Sequence, residues 1–253
     1  MWNLFRRRHR GSDLRVKSRA DHLSGARPES LDISAFAPSQ DVVLAQAAYH
    51  HFAAYRLLSA WVGQADASAA RFSFASAISS EYKTFARIHR VFRADQPEAE
   101  PRDNCLTPEL LDAAFERVQP RTWQEAAIHV CMVNGILDDA HLAIAEAAGV
   151  PMPVRQVLAR RRSQEKLLAL LQEQIATAEF SRDLLALWGR AVIGDAILAV
   201  RGLLVLPEDV REALRAGTHP DEGVADALGQ LDAFQSQLVA GHTLRMDALH
   251  LTA

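Results

Sequence analysis

A chain of 253 residues, 49% of them hydrophobic, is long enough to close a sizeable core in one domain, or one domain with appendages. Its net charge of −3 is unevenly spread: residues 1–40 carry +4 and the remainder −7. That excludes a uniformly basic nucleic-acid binder and leaves open a basic arm on an acidic body. Two cysteines, Cys105 and Cys131, suit reduced thiols better than a disulfide framework.

Gly and Pro are few and strong helix formers abound, so the chain reads as almost entirely α-helical. Residues 1–40 mix Arg, Ser, Gly, Asp and Pro without periodicity and read as a disordered basic arm. Trp2, Leu4 and Phe5 beside Arg6, Arg7, Arg8 and Arg10 suit contact with an anionic surface. No apolar stretch follows these basic residues, so no signal peptide is expected. No 18-residue apolar run is found, so no membrane-spanning helix is expected either. A cytoplasmic location is the expectation.

The first long helix is predicted over 41–63, with Val43, Ala47, His50, Ala54 and Leu57 recurring at three- and four-residue spacing. The second covers 68–93, with a stripe of Phe74, Ile78, Tyr82, Phe85 and Ile88. After a polar loop, Thr107 and Pro108 open a short helix as N-cap and first helical residue. Thr122 and Glu125 form a capping box for the third long helix, which ends at Gly149. The fourth runs over 153–178 and the fifth over 181–205. A short helix from Pro207 to Arg215 and a last one over 221–249 complete the chain. Four long helices with one long crossover suggest a four-helix bundle over 41–205. The segment 206–253 is expected to be a helical extension packed on it.

Several segments resemble one family. They are Leu187-Trp188-Gly189-Arg190-Ala191-Val192-Ile193-Gly194-Asp195 on the fifth helix and Ser80-Glu81-Tyr82-Lys83-Thr84-Phe85-Ala86-Arg87-Ile88 on the second. Asn134-Gly135-Ile136-Leu137-Asp138-Asp139 on the third and Ala48-Tyr49-His50-His51-Phe52 on the first complete the set. In order and spacing they are similar to bacterial ferritin-like proteins related to the tRNA 2-methylthio-isopentenyl-adenosine hydroxylase. The resemblance implies a ferritin-like four-helix bundle with a fifth long helix and additional C-terminal helices. It also implies a di-iron hydroxylase centre, with carboxylates from two helices and acid-x-x-His pairs from two others.

The residues depart from that ligand pattern. On alignment with the family, His51 stands at the first-helix carboxylate position. Glu81 is kept, with Thr84 as its i+3 partner. Asp139 fills the third-helix position, with Asp138 as the register alternative. Arg160 and Ser163 replace the fourth helix's acid and histidine. Vestigial metal candidates are therefore His51, Glu81 and Asp139. The leading expectation is that the site is degenerate and that Glu81 or Asp139 pairs with Arg160 or another arginine as a buried ion pair. A single bound metal is the alternative, with iron as the cofactor it admits.

His50 and His51, adjacent on one helix, point about 100° apart and are not expected to share an ion. His129 and His141 read as structural, and His89 as facing water. Arg155, Arg160, Arg161 and Arg162 form a basic patch that, with the arm, suits tRNA phosphates or another anionic surface. A homodimer is also admitted. Two functions follow. One is a non-catalytic helical scaffold or binding module. The other is a non-haem iron oxygenase acting on a modified tRNA base or another small apolar group.

Overall fold

A computed structural model describes residues 31–176, 182–216 and 222–251. Ten α-helices account for most of them, and no strand occurs among the described residues. In chain order they are α1 (Gln40–Trp61), α2 (Ser68–Asp95), α3 (Pro108–Glu116), α4 (Trp123–Ala147) and α5 (Met152–Leu158). There follow α6 (Arg162–Ala176), α7 (Arg182–Ala191), α8 (Ile193–Gly202), α9 (Glu208–Ala216) and α10 (Glu222–Ala248).

The bundle is formed by α1, α2, α4 and α6. Helix α1 packs on α2 and α4, and α6 packs on the same two from the other side. Their facing stripes supply the core, with Val43, Phe74, Ile128, Met132, Ile136 and Leu167 fully buried. Ile78 and Phe85 pack at its margin, while Tyr82, on the same predicted stripe, is exposed. Helix α4 lies at the centre, also touching α7, α8 and α10. It is long and apolar enough to cross a membrane by length and composition, yet its apolar stretch is enclosed by protein.

The signals that punctuate α4 work as their chemistry dictates. Thr122 accepts the Glu125 N–H at 3.2 Å, while the Glu125 carboxylate accepts from the N–H of Arg121 at 2.6 Å. One orphan donor of the first turn, and the N–H of the residue just before the cap, are thereby satisfied. At the other end Gly149 adopts φ 71°. Its N–H bonds to Glu146 O and that of Val150 to Ala145 O, the paired pattern that lets a left-handed glycine close a helix. Thr107 does not cap α3 with its side chain; its hydroxyl donates instead to Gly202 O at 2.8 Å, tying α3 to α8.

Four expectations are corrected here. The predicted fourth helix breaks over 159–161 into α5 and α6, and the predicted fifth breaks at Val192 into α7 and α8. The end of the former and the start of the latter lie outside the described residues, as do residues 1–30. The last ten residues of the predicted arm are packed: Ile33 and Phe36 are buried, and Phe36 O accepts the Val205 N–H at 2.9 Å. Two large apolar side chains suffice to anchor a polar stretch that periodicity alone leaves as coil. His89 is half-buried where exposure to water was expected, its ring stacked on Phe85 at 5.1 Å between centroids.

The packed segment gives a first test. Phe36→Ala should lower stability by about 3–5 kcal/mol, the usual cost of emptying a fully buried phenylalanine site. Urea unfolding measures it, and a change within experimental error would show that this turn is not anchored to the bundle.

Candidate metal centre

Each bundle helix sends polar side chains into the core. Helix α1 contributes His50 and His51, and α2 contributes Glu81. Helix α4 contributes Asn134, Asp138 and His141, spaced at i, i+4 and i+7 on one stripe. Helix α6 adds Ser163 and Gln164 from its first turn. No lysine or arginine is buried among the described residues, so the two carboxylates find their partners among histidines, amides and a hydroxyl.

Glu81 is the best satisfied. One oxygen faces His51 Nδ1 at 2.7 Å. The other accepts from Asn134 Nδ2 at 2.9 Å and from the Ser163 hydroxyl. Because a carboxylate accepts, His51 carries its proton on Nδ1 and turns Nε2 inward. That Nε2 lies 3.7 Å from Asp138 Oδ1, and His50 Nε2 lies 3.8 Å from the same oxygen. Gln164 donates to the other oxygen of Asp138 at 2.5 Å. His141 Nδ1 donates to Leu137 O at 2.8 Å, and its ring stacks on that of His50 at 5.2 Å between centroids.

Several polar atoms here have no hydrogen-bond partner: both nitrogens of His50, Asp138 Oδ1, His141 Nε2 and Asn134 Oδ1. Buried polar atoms are normally paired, so such a concentration needs a physical account. Electrostatics sharpens it. Burial, with His51 and His141 nearby, holds His50 well below its ordinary pKa. Burial pushes His141 down to about 3. Burial also opposes charge on His51, but the hydrogen bond and charge of Glu81 and the charge of Asp138 outweigh it and raise its pKa. Asp138 is pushed up to about 7 by burial, against the pull of His51.

The donor set fits one divalent cation. One ligand atom from each of His50, His51 and Asp138 lies within 4.8 Å of the other two. Bonds of about 2.1 Å at tetrahedral angles put ligand atoms about 3.4 Å apart, slightly closer than the two His–Asp separations. Two imidazoles and one carboxylate are a composition used by non-haem iron oxygenases. Glu81 behind His51 supplies the carboxylate that fixes ring orientation and tautomer in such sites. The set does not suit two ions, which need about six ligands from four helices.

The sequence-predicted residues separate in space. His51 is in the cluster and Glu81 directly behind it. Asp139 is outside. Its side chain is 28% exposed and bridges Arg161 at 2.6 Å and Arg245 at 2.8 Å. Asp138, one residue earlier, points inward. Arg160 is not the partner of Glu81: the break between α5 and α6 leaves it exposed, and Ser163 reaches the carboxylate instead. The adjacent histidines also converge where divergence was expected. Their rings stack at 4.5 Å between centroids, because a long side chain can swing its ring across the angle between adjacent Cβ vectors. His50, Asp138 and His141 were the residues to find, and Asp138-x-x-His141 is itself an acid-x-x-His pair on α4.

Buried polar side chains converging from four bundle helices suit the interior of a ferritin-like bundle, and the family comparison agrees. The model described as "Ferritin-like domain, actinomycetes" matches residues 39–209. The chain belongs to this ferritin-like family. No curated protein matches it. Within the ferritin-like bundle, the polar cluster occupies the space between the four helices where this fold holds metal.

The two aspartates should behave differently. Asp139→Asn strips a charge from the bridge between Arg161 and Arg245 and should cost about 1–3 kcal/mol. Asp138→Asn keeps an acceptor for the core and removes a carboxylate that burial disfavours, so it should cost less. Urea midpoints of the two variants decide, and the reverse order would contradict the assignment of Asp138 to the core.

Proposed function

We propose that this ferritin-like protein holds one divalent transition-metal ion, iron in the first instance, through His50, His51 and Asp138. The observation that carries the reading is the orientation of His51. Its Nδ1–H donates to Glu81 at 2.7 Å, leaving Nε2 to face Asp138 Oδ1 at 3.7 Å. Both are buried beside a second imidazole, His50, whose nitrogens have no hydrogen-bond partner. Glu81 and Asp138 together balance a dication where no lysine or arginine is buried among the described residues.

A ferrous ion in such a set supplies O₂ activation for attack on a C–H bond. The side chains do the rest: Glu81 orients His51, Gln164 orients Asp138, and the apolar bundle wall limits water. The reading is therefore a mononuclear non-haem iron oxygenase. Its substrate class, a modified tRNA base or another small apolar group, follows from the sequence resemblance. The competing reading is a non-catalytic helical scaffold whose metal site has been lost. The closed network of Glu81 with Asn134 and Ser163 favours it, since both donors already occupy an oxygen that could bind metal.

Metal analysis of protein made in iron-supplemented cells separates these readings. The first predicts about one iron per chain, lost to background in Asp138→Ala. Background metal in the unaltered protein would leave the scaffold. About two irons per chain would contradict the one-ion donor set.

A further inference from the structure

A cavity of about 80 Å³ opens between α2 and the start of α6, lined by His51, Ser80, Lys83, Thr84, Arg87, Arg160, Arg162 and Ser163. Four of these residues are cationic and none is acidic. Lys83 and Arg87 lie one turn apart on α2, while Arg160 lies within the break that separates α5 from α6 and Arg162 opens α6. All four are exposed, and none has an ion-pair partner among the described residues. Neighbouring arginines differ: Arg155 pairs with Glu146 at 3.0 Å and Arg161 with Asp139 at 2.6 Å.

Four unpaired cations around one small opening repel one another, and among the described residues none of them pairs with a carboxylate; Glu81 lies behind His51 and Ser163 and bonds to those two instead. A bound anion offsets the repulsion. Guanidinium groups present parallel N–H donors that match a phosphate bidentately, and an ammonium adds a point charge. The Ser80 hydroxyl adds a donor with no partner among the described residues. His51 and Ser163 are the buried members of the lining, so a bound anion lies beside the buried cluster. The volume suits one phosphate group and leaves no room for a nucleobase or a peptide side chain beside it.

We propose that this cavity is a binding site for the phosphate group of a small molecule, with Lys83, Arg87, Arg160 and Arg162 as its ligands. The site is defined by its own cations and stands whether or not the bundle holds metal. The cations are solvent-facing, so replacing one leaves the core intact.

Titration calorimetry of the full chain with inorganic phosphate, at ionic strength held constant with sodium chloride, tests the proposal. The expected result is saturable binding of one phosphate, weakened about tenfold by Arg160→Ala and by Lys83→Ala, as loss of a charge-assisted contact implies. Arg155→Ala, which removes the same charge outside the cavity, should leave the affinity unchanged. Absence of saturable binding would overturn the proposal. So would equal weakening by Arg155→Ala and Arg160→Ala, which would mark diffuse attraction. A single-stranded RNA oligomer that binds more tightly than phosphate and is weakened equally by both variants would also overturn it, in favour of an extended nucleic-acid surface.

Discussion

The carboxylate of Glu81, 2% exposed at the centre of four helices, is the constraint on which the interior depends. A buried charge without partners is prohibitive, and removing one partner from a buried pair costs about 3–5 kcal/mol. Glu81 is satisfied only if α1 brings His51, α4 brings Asn134 and α6 brings Ser163 to it at once. That requirement fixes the axial register of all three helices against α2. It also fixes the tautomer of His51, and through it the direction in which the Nε2 lone pair points. Stability and chemistry are coupled through one side chain.

The periphery serves the same end. Helix α10 packs on α4, and its Arg245 crosses Gly135 to reach Asp139. A Cβ at Gly135 would overlap the guanidinium, and one at Gly241 would crowd Asp139 itself. Two glycines thus allow the close approach that clamps the outer face of α4. The inner face of the same turn is then free to present Asp138. The C-terminal helix holds the site from behind without contributing a ligand.

The helices were legible because their signals are local: the Thr122 cap, the Gly149 stop and the three- and four-residue recurrence of apolar side chains. His51 and Glu81 were legible as chemically unusual residues on core-facing stripes. The breaks were not. Residues 159–161 contain neither Gly nor Pro, so nothing local marks the end of α5, and a continuous helix aims Arg160 at the core. The choice between Asp138 and Asp139 turns on about 100° of helix rotation, which depends on which face Arg245 and Arg161 cover. Those partners lie 106 and 22 residues away in sequence. His50 and His51 converge because Glu81 draws one ring and Phe115 backs the other at 6.0 Å, contacts that sequence periodicity does not carry.

The central claim is that two imidazoles and Asp138 form one cation site while His141 stands beside it. Histidine-selective ¹⁵N NMR of the metal-free protein titrated with zinc reads each ring nitrogen directly. The account predicts that His51 begins with its proton on Nδ1, and that Nε2 of His51 and a nitrogen of His50 shift on zinc binding and stop shifting at about one equivalent. His141 and His129 should keep their tautomers. Unmoved His50 and His51 resonances, or a His51 that carries its proton on Nε2 before zinc is added, would contradict it.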